Sequence, residues 1–170
     1  MLINHAFFSQ HWQRKPLLLR QAVRLPENSP DKKLLFSLAG DENIETRLVL
    51  EHGERPWEVH YGPFSSTELD QLPGSRWTIL FQDMDKHLQE VAELLAQFEG
   101  MPRWRIDDIM ISYATDQGGV GPHSDAYDVF LMQGVCHNPT GADMSPEQFE
   151  ALLDRHFNFE RLYQTLGLGS

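Results

Sequence analysis

His123 and Asp125 are the residues whose types and spacing could bind a metal ion. In an extended segment, residues two apart project from the same side of the chain, so the imidazole of His123 and the carboxylate of Asp125 could reach one ion. A neutral imidazole and a carboxylate suit iron(II) or another borderline divalent ion. A His-x-Asp pair is also common by chance, and the other interpretation is a surface histidine beside an aspartate.

The segments on either side of the pair favour the metal interpretation. Upstream, the isoleucines of residues 104–114 predict a strand. Residues 118–122 then form a glycine-rich loop that can bring backbone close to a ligand. Downstream, residues 128–133 predict a second strand that leaves the site. The predicted order is strand, glycine loop, ligands, strand.

The earlier part of the chain predicts an α+β domain. Phe7, Phe8 and Trp12 have helical spacing and predict a helix over residues 4–12, followed by a strand at 17–19. Ser29, with Pro30 at the first helical position, predicts the N-cap of a second helix that ends near Gly40.

Three further strands and two helical segments are predicted before the metal loop. Residues 44–50 and 56–61 predict a hairpin, and 77–81 predict the next strand. Ser65 or Ser66 can cap a single helical turn that contains Leu69. Apolar residues recur at three- and four-residue steps over 84–98, which predicts an amphipathic helix with Asp85 on its outer side. Asp107 and Asp108 are adjacent in the following predicted strand and would face opposite sides, which favours a structural role over an acid/base pair.

Residues 104–134 resemble the JmjC-type, cupin-fold oxygenases that depend on 2-oxoglutarate and iron(II). More narrowly, they resemble the bacterial ribosomal oxygenases that hydroxylate an arginine of a large-subunit ribosomal protein. The resemblance covers about 134 of the 170 residues. It extends upstream through His11-Trp12-Gln13-Arg14-Lys15-Pro16, Ser37-Leu38, Thr46-Arg47-Leu48, residues 57–64 and residues 77–82.

The resemblance implies a fold and a set of site residues. It implies a partial cupin, a double-stranded β-helix or jelly-roll, with N-terminal helices, a hairpin and a helical C-terminal tail. His123 and Asp125 correspond to two ligands of a two-histidine, one-carboxylate iron triad. Ser112 corresponds to a position that touches 2-oxoglutarate, although it could equally be a strand serine bonded to backbone. From their position just past the ligand pair, Tyr127 and Asp128 could line the mouth of the site, although Tyr127 could equally be a packing residue. Members of the family are dimers, and no residue is assigned a separate catalytic role.

The resemblance fails after Gly134, which divides the chain into an oxygenase-like part at 1–134 and a divergent loop-helix tail at 135–170. The family would continue with a strand whose arginine pairs with the distal carboxylate of 2-oxoglutarate, but no arginine lies between Arg105 and Arg155. His137 and His156 are the only histidines after Asp125. Neither lies where the family places its second histidine.

A shorter stretch of the tail resembles another class of enzyme. Residues 136–153 are similar to the Asn-Pro-Thr-Gly loop and following helix of fold-type I aminotransferases, in which the asparagine touches pyridoxal phosphate. No lysine follows this loop to form a Schiff base, so we interpret Asn138 as a turn residue.

Composition limits the partners and the compartment. The net charge of -11 and the pI near 5.0 argue against direct nucleic-acid binding and suit a basic partner such as a ribosomal protein, or simply a soluble acidic surface. The single cysteine, Cys136, excludes an internal disulfide and a cysteine-only zinc site. No segment predicts a signal peptide or a membrane span, so we expect a cytoplasmic protein.

Two functions remain open at this stage. The first is a 2-oxoglutarate- and iron(II)-dependent ribosomal-protein arginine hydroxylase that is truncated or altered after Gly134, and therefore weak or inactive as this chain. The second is the same fold without catalysis, as a binding module or fragment. Turnover at an intact metal site separates the two.

Overall fold

The computed structural model describes residues 3–15, 17–51, 57–121, 123 and 125–134. Its centre is a four-stranded antiparallel sheet with the spatial order β2-β1-β3-β4. The strands are β1 (Thr46–Leu50), β2 (Glu58–Tyr61), β3 (Trp77–Phe81) and β4 (Ile111–Ala114). The α+β class and the partial cupin architecture predicted from the sequence are confirmed. The predicted helical tail at 135–170 lies outside the described residues.

Short helices surround the sheet. They are α1 (His5–Gln10), α2 (Lys32–Leu38), α3 (Ser66–Asp70), α4 (Met84–His87) and α5 (Gln89–Ala92), with 3-10 helices at Glu93–Phe98 and Arg103–Arg105. Within the described residues, none of the helices has the length and apolar character needed to span a membrane.

The main core lies between the helices and one face of the sheet. Trp77, Ile79 and Phe81 of β3 are at most 3% exposed and point to this face. Leu35 of α2, Leu69 of α3 and residues of α4 and α5 pack against them. Burial of apolar side chains on one face sets the strand register, because a one-residue slip would turn the whole set to the other face.

Several predicted elements are confirmed together with their local signals. The hairpin forms with Leu48 opposite His60. Ser65 caps α3, and Glu68 completes a capping box by accepting from the Ser65 backbone amide. The predicted strand at 77–81 has the same bounds in the structure.

Two predictions near the N-terminus are wrong. Residues 17–19 form no strand, and their three leucines are 39% to 50% exposed, because an apolar run without a neighbouring strand edge does not pair. The second helix begins after Asp31, whose carboxylate accepts from the Leu34 amide. Ser29 instead donates its hydroxyl to the carbonyl of Pro26. Aspartate is as good an N-cap as serine, and the aspartate lies closer to the buried Leu35.

The predicted helix over 84–98 is broken. Leu88 has extended backbone angles (φ -124°, ψ 118°), which separate α4 from α5, and a 3-10 helix follows. The predicted apolar side chains are nevertheless buried, namely Met84, Val91, Leu94 and Phe98. The predicted apolar face is therefore confirmed, and the prediction of one continuous helix is wrong. Tertiary contacts override helix propensity here.

Asp85, which was predicted to face outward, is buried. Its side chain is 4% exposed instead of facing outward. One carboxylate oxygen accepts from the Ile109 amide at 2.9 Å, and the other lies 3.3 Å from Arg103 Nη2. The Met84 amide donates to the Ile109 carbonyl at 2.9 Å. The α4 segment is therefore tied to the chain that enters β4.

Two predicted strands near the metal loop are shorter or absent. Only Ile111–Ala114 of the strand predicted over 104–114 pairs with the sheet. Before it, Asp108 accepts from the side chain of Gln82 and the amide of Asp83, which agrees with a structural role for Asp108. Asp107 is exposed, so the two neighbours face different environments. Residues 128–133 form no strand, because Asp128 and Phe130 contact Gln13 and Trp12 of the N-terminal segment instead of a strand edge.

Asp85→Ala is expected to lower the free energy of unfolding by about 1–3 kcal/mol, because Ile109 N–H and Arg103 lose their buried acceptor. Urea denaturation measures the loss. Asp107→Ala, an exposed acid in the same region, is the control and should change stability by less than about 0.5 kcal/mol. An Asp85→Ala protein as stable as the parent would show that this carboxylate does not hold the two segments together.

Candidate metal centre

The loop that carries the candidate ligands begins at a firmly hydrogen-bonded stem. Beyond β4, the Thr115 amide donates to the carbonyl of Trp77 at 3.0 Å. The Thr115 hydroxyl donates to the same carbonyl at 2.9 Å and accepts from the Trp77 amide at 3.1 Å. The Arg76 amide donates to the Asp116 carbonyl at 2.8 Å. The stem therefore extends the pairing of β3 with β4 and fixes where the glycine loop leaves the sheet.

Two glycines of the loop are required by close approach. A side chain at Gly118 would collide with the carbonyl of Trp77. Gly121 has φ +78°, and a Cβ atom there would lie 2.7 Å from the indole ring of Trp57. Both close contacts are with the protein itself, so the approach of this loop to a ligand stays a prediction. Gly119 has no such neighbour within 4 Å.

His123 is oriented by a hydrogen bond to its own loop. Its Nδ1 atom lies 2.9 Å from the carbonyl oxygen of Gly121. A carbonyl only accepts, so this contact requires the proton on Nδ1 and leaves Nε2 with a free lone pair in the neutral ring. A backbone carbonyl on one ring nitrogen commonly fixes the tautomer of a metal-binding histidine.

The free nitrogen of His123 points to the second candidate ligand. Nε2 lies 3.5 Å from Oδ2 of Asp125, and the two side chains are 53% and 35% exposed. Ligand atoms about 2.1 Å from a shared ion lie roughly 3–3.5 Å apart, so the spacing fits two ligands of one divalent ion. In the neutral tautomer both atoms are acceptors, and a cation between them would satisfy both.

The third ligand of an iron triad is not among the described residues. In those parts of the chain, no group of three or more His, Cys, Asp or Glu could hold a metal ion. His60 lies on β2 and pairs with Glu58 at 2.8 Å, in agreement with its interpretation as a surface strand histidine. His137 and His156, like Cys136, lie outside the described residues.

Ser112 lies in β4 opposite Leu80 of β3 and is exposed. It stands on the sheet face opposite the main core, since its neighbours Ile111 and Tyr113 pack against that core. The described structure records no contact between Ser112 and either His123 or Asp125. Its role at 2-oxoglutarate stays a prediction.

The segment after Asp125 is held by α1 and the residues that follow it, together with Phe98, which the sequence did not suggest. Gln13 Nε2 donates to Oδ2 of Asp128 at 3.0 Å. The ring of Phe130 contacts those of Phe7, Trp12 and Phe98 at centroid distances of 5.2–6.0 Å. Asp128 is thus used in a structural contact, while Tyr127 is 72% exposed beside it. Only the aromatic residues at helical spacing in α1 hinted at such a cluster.

Known proteins of one kind are similar to this chain. Residues 93–138 match the model of the JmjC domain. The chain is 36% identical over 166 residues to the ribosomal protein uL16 3-hydroxylase of Escherichia coli strain K12, covering 87% of this chain and 43% of that protein. The chain is thus similar to a ribosomal oxygenase, and part of it is similar to the JmjC domain.

Two further relatives support the same family. A probable ribosomal oxygenase of Haemophilus influenzae is 36% identical over 131 residues, covering 77% of this chain and 32% of that protein. The structure of the Escherichia coli ribosomal oxygenase YcfD in complex with cobalt and 2-oxoglutarate superposes with a TM-score of 0.65 at 36% identity. That match covers 71% of this chain and 33% of the YcfD chain.

The present chain spans less than half the length of the ribosomal oxygenases that it matches. The JmjC match ends at residue 138, shortly after Gly134, while the two sequence matches cover 87% and 77% of the chain. The division into an oxygenase-like part at 1–134 and a separate tail therefore stays a prediction.

His123→Ala is expected to weaken manganese(II) binding by about tenfold or more, because changes even beyond the direct ligands typically cost 10–100-fold. Free manganese(II) measured by electron paramagnetic resonance during a titration gives the affinity. His60→Ala, on the surface of β2, is the matched control and should bind like the parent. The proposed ligand role is wrong if His123→Ala binds manganese(II) as tightly as the parent.

Gln13→Ala is expected to increase hydrogen exchange at the amides of residues 128–132 and to weaken manganese(II) binding by up to about tenfold, since it removes a support of the ligand segment. Exchange read by mass spectrometry and the same titration measure both effects. Gln10→Ala, at the exposed end of α1, is the control. Unchanged exchange in Gln13→Ala would show that the aromatic contacts alone hold the segment.

Proposed function

We propose that this chain carries part of the active site of an iron(II)- and 2-oxoglutarate-dependent oxygenase that hydroxylates an arginine of a large-subunit ribosomal protein. The observation that carries the proposal is the His123 geometry, in which the Gly121 carbonyl holds Nδ1 and leaves Nε2 facing Asp125. The relation to ribosomal oxygenases, one of them crystallised with cobalt and 2-oxoglutarate, supports the same chemistry.

Each residue has a defined part in this proposal. Iron(II) together with 2-oxoglutarate and oxygen supplies the oxidising power for hydroxylation. His123 and Asp125 hold the metal ion, and the Gly121 carbonyl orients the imidazole through Nδ1. Ser112, exposed on β4, offers its hydroxyl to 2-oxoglutarate. The acidic character of the chain favours a basic protein substrate over a nucleic acid. We place the protein in the cytoplasm, where ribosomal proteins are made.

The chain by itself should turn over weakly or not at all. The described residues supply two metal ligands, while the iron triads of such oxygenases use three. The alternative function, a non-catalytic cupin-like binding module, is favoured by the same observation. By resemblance to the family, we expect the protein to form a dimer.

The assay is succinate release together with a 16 Da mass increase on a ribosomal-protein peptide, with iron(II) and ascorbate supplied. We expect turnover at least about 10²-fold below that of an intact ribosomal oxygenase, because an incomplete ligand set weakens metal retention. Asp125→Ala should abolish whatever turnover remains, and Asp70→Ala, an exposed acid in α3, is the control. Turnover equal to that of an intact enzyme would show that the tail completes the site. Turnover that survives in Asp125→Ala would exclude this metal pair.

A further inference from the structure

The sheet face opposite the main core carries a row of side chains that leads to Ser112. Strand pairing places Tyr61 opposite Arg47, Arg47 opposite Leu80, and Leu80 opposite Ser112. Directly opposed residues in antiparallel strands project from the same face. Leu80 is buried without belonging to the main core, which agrees with this placement. The row therefore brings an arginine and the candidate 2-oxoglutarate serine onto one surface, two strands apart.

The Arg47 side chain extends along this row towards Ser112. Its Nη2 atom lies 3.9 Å from the sulfur of Met110, the residue directly before β4. Since β3 lies between β1 and β4, the two side chains meet across the intervening strand. Met110 is two residues from Ser112 and so projects from the same side of the extended chain. The guanidinium is thereby held near the edge of the sheet where Ser112 is exposed.

The guanidinium of Arg47 has no strong hydrogen-bond acceptor among its described neighbours. It is half-buried, and in the described part of the chain its recorded hydrogen bond is to a thioether, a weak acceptor. No carboxylate pairs with it among those residues, although the chain has 25 acidic side chains. A guanidinium has five N–H donors, and burial without strong acceptors is costly. A half-buried arginine in this state is suited to an anionic ligand.

A second polar group on the same face also lacks a partner. Thr78 lies two residues from Leu80 on β3 and is 2% exposed. Within the described structure its hydroxyl has no hydrogen-bond partner. Thr78 is buried, so the groups that this face can offer to a ligand are the guanidinium of Arg47 and the exposed hydroxyl of Ser112. These are the groups that bind carboxylate and keto oxygens.

We propose that Arg47 holds a carboxylate of the dicarboxylate co-substrate on the face that carries Ser112, in place of the arginine that is missing between Arg105 and Arg155. A guanidinium can bind a carboxylate through two parallel hydrogen bonds, which gives orientation as well as affinity. The inference rests on the proposed function, since it assumes that 2-oxoglutarate is the ligand. Arg47 binds the co-substrate in this scheme, and His123 with Asp125 bind the metal independently.

The test compares Arg47→Met, Arg47→Lys and the parent chain by calorimetric titration with 2-oxoglutarate in the presence of manganese(II). We expect Arg47→Met to weaken 2-oxoglutarate binding about 10²-fold, because a charge-assisted paired contact is lost. Arg47→Lys keeps the charge but loses the paired geometry and should weaken binding about tenfold. Arg14→Met, at an exposed arginine, is the matched control and should bind like the parent.

Manganese(II) affinity and circular dichroism are measured on every variant, and both should be unchanged in Arg47→Met. If that variant does not fold, Arg47→Lys decides the question by the same titration. Equal 2-oxoglutarate binding by the parent and the folded Arg47 variants would overturn the role of Arg47 and leave the proposed function standing. A parent that binds manganese(II) but no 2-oxoglutarate would overturn both. Glutarate, which lacks the keto group, should show the same dependence on Arg47 with lower affinity.

Discussion

Strand β3 lies between β1 and β4, and its hydrogen bonds to both neighbours decide which side chains can share a site. Burial of Trp77, Ile79 and Phe81 against the helices sets its register, since a slip by one residue would expose all three. The same register turns Arg47 and Ser112 to the opposite face. The hydrogen bonds of Thr115 continue the pairing of β3 with β4 and fix where the metal loop leaves the sheet. The core therefore positions the site residues without contacting them.

For binding of a dicarboxylate, the charge close to the site matters more than the net charge of the whole chain. A net charge of -11 repels a dicarboxylate on average, but exposed charges are largely screened beyond about 8–10 Å. A cation within direct contact distance of the ligand is therefore needed to offset the repulsion and the loss of hydration. The neutral tautomer of His123 supplies a metal ligand but no positive charge. Arg47 is the group on the Ser112 face that can supply it.

Features with local signals could be predicted from the sequence, and features set by distant contacts could not. The strand at 77–81, the hairpin and the Ser65 cap each follow from neighbouring residues. His123 and Asp125 could be paired because their separation is two residues. The break at Leu88 and the missing strand at 128–133 depend on partners elsewhere in the chain, namely Ile109 for α4 and Gln13 for Asp128. Arg47 joins Ser112 only through the register of three strands, which no spacing in the sequence reveals.

The contact between Gln13 and Asp128 joins residues 115 positions apart, so the support of the ligand segment depends on the far end of the chain. Closing such a long loop costs conformational entropy that the aromatic contacts of Phe130 must offset. An ion that binds His123 and Asp125 more tightly when α1 is docked must stabilise the docked state by the same free energy. In that case the metal site and the N-terminal segment are thermodynamically linked, and residues that contribute no ligand influence the metal affinity.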